Sequence, residues 1–390
     1  MTSPALPAGN IRCIASVLAM TNLNSVAFCE IIHRCDRLFR SVVGHIKGDP
    51  MSSAAVEAGV GEVSPNLVVD AMFACRKTAA IVAAIELDLF TLIGDGSNAA
   101  SLAAATNAAE RGVRILCDYL VVNGFLTKAG DQYALTPSSR TFLDRRSPAY
   151  MGAAIEFLAA PEILKQILDD PTSYVRNGGS IGLANMSPDN PVWVKFARGM
   201  GSFTGGSAIS LAAEMANLPM QPRKILDIAA GHGRFGIEMA KTFPSAEVVA
   251  VDWGSVLELA EHNARQFGVA ERYKVIPGSA FEVDWGTDYD LILLPNFLHH
   301  FDLETCAGLL AKSRASLSAG GKVVAVDFVP NDDLVSPPFP AAFSWEMLAS
   351  TPRGEAYTQK DLAEMARRAG FQNVRVKPLP PSPSSLIFFE

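Results

Sequence analysis

Apolar positions recur at helical spacing from Ser64 onward: Leu67, Val68, Ala71, Met72 and Cys75, then Ile81, Ala84, Ile85 and Leu89. That period predicts amphipathic helices. Residues 79–93 are apolar nearly all round, as in a helix buried on several sides, in a core or in a dimer interface. Residues 98–106 are Ala-rich with Ser101 as N-cap, and 110–122 carry Val113, Leu116, Cys117 and Leu120 on one face. Two short apolar runs between Phe125 and Leu135 flank Ala129-Gly130-Asp131, which predicts a β-hairpin. Helix, helix and hairpin in that order predict a winged helix. Residues 150–220 read as helices broken at Pro161, Pro171, Gly178-Gly179, Pro188 and Pro191. There Trp193 to Met200 lead through Gly205-Gly206 into a further helix over 208–216.

From Lys224 the pattern changes to short apolar runs alternating with helical stretches. Runs at 224–229, 247–251, 273–276, 290–294 and 321–326 predict strands, with helices such as 256–267 between them. This alternation implies right-handed crossovers and a parallel sheet covered on both faces. A Pro-rich turn between 373–376 and 385–389 predicts a terminal antiparallel hairpin. Ligands of such sheets sit beyond the carboxyl ends of the strands.

Composition narrows the classes. Of 390 residues 49% are hydrophobic, and 33 Lys+Arg against 40 Asp+Glu leave a formal charge of −7. The apolar content excludes a disordered chain and fills two or three domains. The acidic balance disfavours nucleic acid, whose phosphates are bound by Lys and Arg. The helix that would read DNA offers only Arg111 and Arg114 against Glu110 and Asp118, so the winged helix reads as a protein-interaction module. No apolar run reaches the ~18–20 residues of a membrane span, and a soluble, cytoplasmic protein is expected. Cys13, Cys29, Cys35, Cys75, Cys117 and Cys306 form no C-x-x-C pair. Reduced, buried thiols are expected, without a metal or disulfide framework. Residues 1–50 hold three of these cysteines and five basic against three acidic residues, and read as an extension outside the main fold, with Met51 an alternative start.

The chemistry concentrates in the second half. Gly231 and Gly233, in Ala230-Gly231-His232-Gly233, let backbone approach a ligand closely. Asp252, 19 residues beyond Gly233 at a strand end, is placed to accept hydrogen bonds from ribose hydroxyls. Gly231-x-Gly233-x-x-Gly236 also fits a dinucleotide fingerprint, so an NAD-dependent oxidoreductase stays open. Against it stands Asp227, a carboxylate that would bond the glycine loop or a cationic ligand and gain nothing from a pyrophosphate. A winged-helix regulator with a ligand-sensing half is a further alternative.

Asp227-Ile-Ala-Ala-Gly-His-Gly, Val251-Asp252, Gly278-Ser-Ala-Phe281, Leu298-His-His-Phe-Asp302 and Gly320-Gly-Lys-Val-Val-Ala-Val-Asp327 together resemble class I S-adenosylmethionine-dependent methyltransferases. More narrowly, they resemble small-molecule O-methyltransferases typified by caffeate and acetylserotonin enzymes and their bacterial relatives. The resemblance implies an α/β fold: a C-terminal Rossmann-like sheet and an N-terminal, mostly helical winged-helix dimerisation domain. It divides the chain into an extension (1–63), the dimerisation domain (64–160), a helical linker and pocket region (161–220) and the cofactor domain (221–390). It further implies a homodimer and a small-molecule acceptor.

Carried over by position, Gly231 and Gly233 line the methionine part of S-adenosylmethionine, Asp252 binds its ribose, and Ser279, Ala280 and Phe281 surround the adenine. The family often has an acidic residue where Ser279 stands. Asp227, Trp253 and Asn296 complete the cofactor set. His299 takes the place of the general base, favoured over His300, and Asp327 that of the acid orienting it. A second flanking Glu would lie near Ala356 and is missing or displaced to Glu355, which keeps carbon or nitrogen methylation open. By residue type, Trp193, Phe196, Met200, Phe203, Phe343, Trp345 and Met347, with His300, are candidates for a pocket holding an aromatic or polyketide-like acceptor.

Overall fold

Period-two burial builds the C-terminal sheet. In β4 (Lys224–Ile228), β5 (Glu247–Asp252), β7 (Tyr289–Pro295), β8 (Leu317–Asp327) and β10 (Ser385–Phe389), successive side chains enter opposite cores. Ile225, Val248, Leu293, Val324 and Phe388 pack on one face, and Leu226, Val249, Ile292, Val323 and Phe389 on the other. Each such buried side chain contributes about 1.5–3 kcal/mol relative to exposure. With β6 (Tyr273–Pro277) and β9 (Val374–Pro378) the order is β6-β5-β4-β7-β8-β10-β9. β10 inserts antiparallel between β8 and β9, so the expected terminal hairpin extends a sheet that is parallel from β6 to β8. The strand order reverses between β4 and β7, placing a ligand crevice at their carboxyl ends.

The computed structural model describes residues 63–182, 186–380 and 382–390. The expected extension, with Cys13, Cys29 and Cys35, lies outside the described residues. Ser64–Glu390 form one unit.

Its N-terminal part contains α1 (Asn66–Glu86), α2 (Leu89–Ile93), β1 (Ser97–Asn98), α3 (Ala99–Thr106), α4 (Glu110–Val122), β2 (Leu126–Ala129), β3 (Gln132–Leu135) and α5 (Pro137–Phe142). The hairpin turns at Gly130-Asp131, and β3 pairs with both β2 and β1. Three expectations need correction. The apolar stretch 79–93 is two helices, because Asp88 adopts φ 51° and breaks it. Asn98, not Ser101, caps α3: its side chain accepts from the Ser101 N–H at 2.9 Å. Cys75 is exposed on α1, beside exposed Leu67, Val68, Met72 and Phe73, whereas Cys117 and Cys306 are buried thiols.

The connecting region holds α6 (Gly152–Leu158), α7 (Pro161–Leu168), α8 (Pro171–Asn177) and α9 (Val192–Ala216). Here too an expectation changes: α9 runs unbroken through Gly205-Gly206, because burial of Ala208, Leu211 and Met215 against the sheet outweighs glycine's weak helix propensity. The sheet is covered by α10 (Arg234–Thr242), α11 (Gly254–Gln266), α12 (Leu303–Ala315) and α14 (Gln359–Arg368), while α13 (Pro338–Ser350) stands over the carboxyl end of β8.

Candidate active site

The bend after β4 is built on glycine geometry. Gly231 and Gly233 have φ 57° and 76°, and a Cβ on Gly233 would lie 3.2 Å from the Ala260 Cα. Only glycine lets α11 approach that closely at positive φ. Beneath the bend Asp227 is wholly buried, its Oδ2 accepting from the Gly236 N–H at 2.8 Å while Oδ1 has no partner. Asp227 therefore braces the bend from below. Burial pushes its carboxyl up to about 7, only partly offset by the Gly236 hydrogen bond.

Asp252 sits at the rim. Its Oδ2 accepts from the Gly231 N–H at 2.8 Å and its Oδ1 from the Trp253 N–H at 2.7 Å. The carboxylate is only half-buried, and burial raises its pKa above the ordinary range. Each oxygen retains a lone pair for a further donor. Two carboxylates held around a bare-backbone bend, without a basic partner, suit a ligand carrying positive charge and vicinal hydroxyls. S-adenosylmethionine has both, whereas a pyrophosphate would be repelled.

Raised carboxyl pKa values carry a stability consequence. A group bound to its proton more tightly in the folded state stabilises at low pH and loses that contribution as pH rises through its folded value. The Asp227 contribution is therefore expected to be lost between about pH 4 and pH 7, so the stability of the native protein relative to Asp227→Asn falls as pH rises across that range, the opposite contributions of His232 and His300 being common to both proteins. Melting curves across that range check it, and equal slopes in both proteins would contradict it.

Past β6, Ser279 Oγ accepts from the Phe281 N–H at 3.3 Å, Ala280 is buried and Phe281 is exposed, with its ring 4.9 Å from Phe301. Asn296 directly follows β7 at φ 52°, a conformation asparagine tolerates better than most residues. Trp253, half-buried, precedes α11. Sequence reasoning missed Lys312. From α12 its ammonium donates to the carbonyls of Ala280 (3.1 Å), Phe281 (3.2 Å) and Val283 (2.8 Å), using all three protons to hold that loop. No local signal marks it, since its partners lie some thirty residues away.

His299, in the turn after β7, and Asp327, at the end of β8, come from neighbouring strands on one side of the switch. Nδ1 of His299 donates to Asp327 Oδ1 at 2.6 Å, and that oxygen also accepts from the Phe328 N–H at 2.8 Å. With Nδ1 protonated toward the carboxylate, the neutral ring leaves Nε2 free to accept a proton. Phe343 meets the ring edge-on at 4.9 Å and Phe328 lies parallel at 6.3 Å. Phe339 joins Phe328 at 5.2 Å, and Phe203 of α9 lies 6.5 Å from Phe339. No sequence pattern marks Phe328 and Phe339, although Phe328 directly follows Asp327.

His300 is half-buried, its ring 4.3 Å from that of His299, and it makes no side-chain hydrogen bond among the described residues. Burial, reinforced by the neighbouring imidazole, drives its pKa well below the ordinary value and keeps it neutral. The other candidates scatter. Trp193 donates to the Ser187 carbonyl at 3.0 Å, Phe196 packs on Phe157, and exposed Trp345 packs on Tyr174. Met200 is half-buried and Met347 buried. Ala356 is buried and Glu355 exposed. A cavity of about 1010 Å³ lies between α7, α8 and the start of α9, but it includes neither histidine.

Two family descriptions match: the O-methyltransferase domain over residues 166–372 and the O-methyltransferase dimerisation domain over 69–145. The chain belongs to the O-methyltransferase family. A crystal structure of a Nostoc punctiforme protein assigned as an O-methyltransferase is 47% identical, covers 84% of this chain and 99% of its own, and superposes with a TM-score of 0.79. A 3-hydroxy-5-methyl-1-naphthoate 3-O-methyltransferase of Streptomyces sahachiroi is 27% identical over 319 residues, 80% of this chain and 90% of that one. PigF, an S-adenosyl-L-methionine-dependent methyl transferase of Serratia, has a structure with S-adenosylhomocysteine that is 25% identical. It covers 84% of this chain and 100% of its own, with a TM-score of 0.73. This O-methyltransferase uses S-adenosylmethionine, and its family does not favour a nicotinamide cofactor or a carbon or nitrogen acceptor. No helix among its described residues is long and apolar enough to cross a membrane.

Proposed function

We propose that this O-methyltransferase methylates a hydroxyl of a small aromatic or polyketide-like acceptor, with His299 as general base. The observation that carries this reading is the 2.6 Å His299–Asp327 pair inside a wall of phenylalanines. S-adenosylmethionine, when bound, supplies an activated methyl group on a sulfonium. Gly231, Gly233 and Asp252 would hold it, braced by Asp227 and flanked by Trp253, Ser279, Ala280, Phe281 and Asn296. His299 Nε2 removes the acceptor's proton, because a phenol is a poor nucleophile until deprotonated. Asp327 holds the required tautomer and stabilises the imidazolium that forms. Phe203, Phe328, Phe339 and Phe343 exclude water and favour a flat ring. His300, neutral and without a side-chain hydrogen bond among the described residues, is left to contact the acceptor. The naphthoate acted on by the Streptomyces relative agrees with an aromatic acceptor.

In this reading the protein is a homodimer through its dimerisation domain, with the exposed apolar residues of α1 as contact surface. Divisions near residues 160 and 220 separate that domain from the linker and the cofactor sheet. The buried free thiols of Cys117 and Cys306 accord with a reducing, cytoplasmic setting.

Incubation with methyl-labelled S-adenosylmethionine and a panel of hydroxynaphthalenes tests the proposal. The expected product is a labelled aryl methyl ether. Label on ring carbon, or transfer only to amines, would overturn it.

A further inference from the structure

His232, between the two glycines of the bend, has no part in the chemistry above, yet its ring is fully engaged. Its Nδ1 accepts from the backbone N–H of Arg234, the first residue of α10, at 3.0 Å. A nitrogen that accepts from an amide carries no proton, so the ring's proton must sit on Nε2. Nε2 lies 3.0 Å from Thr204 Oγ1 and therefore donates to it. The Thr204 hydroxyl in turn donates to the Met200 carbonyl at 2.9 Å, one turn back in α9. Each donor has one acceptor, so the chain of bonds has a single direction: Arg234 to His232 to Thr204 to Met200.

The link is buried and tight. His232 is 7% exposed and Thr204 8%. The Asn263 side chain donates to the His232 carbonyl at 2.8 Å, tying the backbone to α11 as well. A Cβ on Gly201 would sit 3.1 Å from the imidazole, so α9 packs directly against the ring. Burial, with a smaller effect from Arg234, depresses the His232 pKa to about 4. The ring thus stays neutral in one tautomer over the working range and does not serve as a proton shuttle.

We propose that His232 is a positioning residue that couples the cofactor bend to α9, the helix that presents Phe203 to the acceptor side. Displacement at a sulfonium needs the nucleophile about 3–3.5 Å from the methyl carbon and in line with it, so the two binding surfaces must be held in register. A buried histidine hydrogen-bonded to both does this. Ordering of the bend by cofactor then orders α9 before the acceptor arrives. This inference rests on the reading of Gly231–Gly233 as the cofactor bend.

Hydrogen exchange of the full chain with and without S-adenosylhomocysteine tests it, without knowledge of the acceptor. In the native protein the probe is expected to slow exchange both in the bend (227–236) and in α9 (198–208), the latter by about 10-fold. Thr204→Val and His232→Asn should keep bend protection and lose that of α9. Asn retains an acceptor for the Arg234 N–H but cannot reach Thr204. Thr204→Ser and His232→Gln preserve a donor–acceptor pair across the gap and should restore α9 protection. A merely structural hydrogen bond would lower the melting temperature without removing probe-dependent protection. If Thr204→Val fails to fold, His232→Asn removes the same link. Unchanged α9 protection in the variant that folds, or bend protection without α9 protection in the native protein, overturns the coupling. Absence of bend protection in the native protein overturns the cofactor-bend reading itself.

Discussion

His299→Ala is expected to lower kcat by about 10²–10⁴-fold, the usual contribution of a positioned general base, while S-adenosylhomocysteine affinity changes by less than about 2-fold. The separation follows from position. His299 ends the region after β7 beside Asp327 and the phenylalanine wall, whereas the proposed cofactor contacts lie on the bend after β4 and the rim after β5. His300→Ala, measured alongside, should leave kcat within about 10-fold and act mainly on acceptor KM, because a ring without an orienting carboxylate is poorly placed as a base. Steady-state kinetics and calorimetric titration decide between them. A reversal of the two variants would transfer the base to His300, and full activity in both would remove the histidine mechanism.

The second large effect concerns the cofactor. Asp252→Ala is expected to weaken S-adenosylhomocysteine binding by about 100-fold, since hydrogen bonds to a charged acceptor are worth about 1.5–3 kcal/mol and 1.4 kcal/mol is tenfold. Part of that loss comes through the bend, because the Gly231 N–H would lose its 2.8 Å partner. Asp252→Asn separates the contributions: its amide oxygen can still accept from Gly231, so the bend survives and only the charge and one acceptor are lost. An intermediate affinity is expected by calorimetry. Undiminished binding in the Ala variant would take Asp252 out of the cofactor site.

How far the site could be read in advance depended on whether its residues are near one another in sequence. Gly231, Gly233 and Asp252 lie within one strand–helix–strand unit whose spacing sets their arrangement, and the structure joins them by the Gly231–Asp252 hydrogen bond. His299 and Asp327 each follow a recognisable strand, so their proximity could be anticipated from parallel neighbours β7 and β8. Trp193, Phe196 and Trp345 belong with the pocket by residue type alone, and type does not specify direction. On a helix, a shift of one position turns a side chain by about 100°, enough to send Phe196 to Phe157 and Trp345 to Tyr174.

Local patterning alone determined the alternation of strands and helices, the antiparallel end of the sheet, the winged-helix order and the residues around the glycine bend. These depend on hydrophobic period and turn chemistry, which act over a few residues. Tertiary structure alone decided that α9 continues through two glycines, that Asp88 interrupts the apolar N-terminal stretch and that Lys312 grips a distant loop. It also decided that His232 is bonded to Thr204 and that Phe328 lies parallel to the His299 ring with Phe339 packed behind it. Apart from the left-handed backbone of Asp88, each of those outcomes is a contact between segments far apart in sequence, and packing and hydrogen bonding formed at that range leave no periodic trace along the chain.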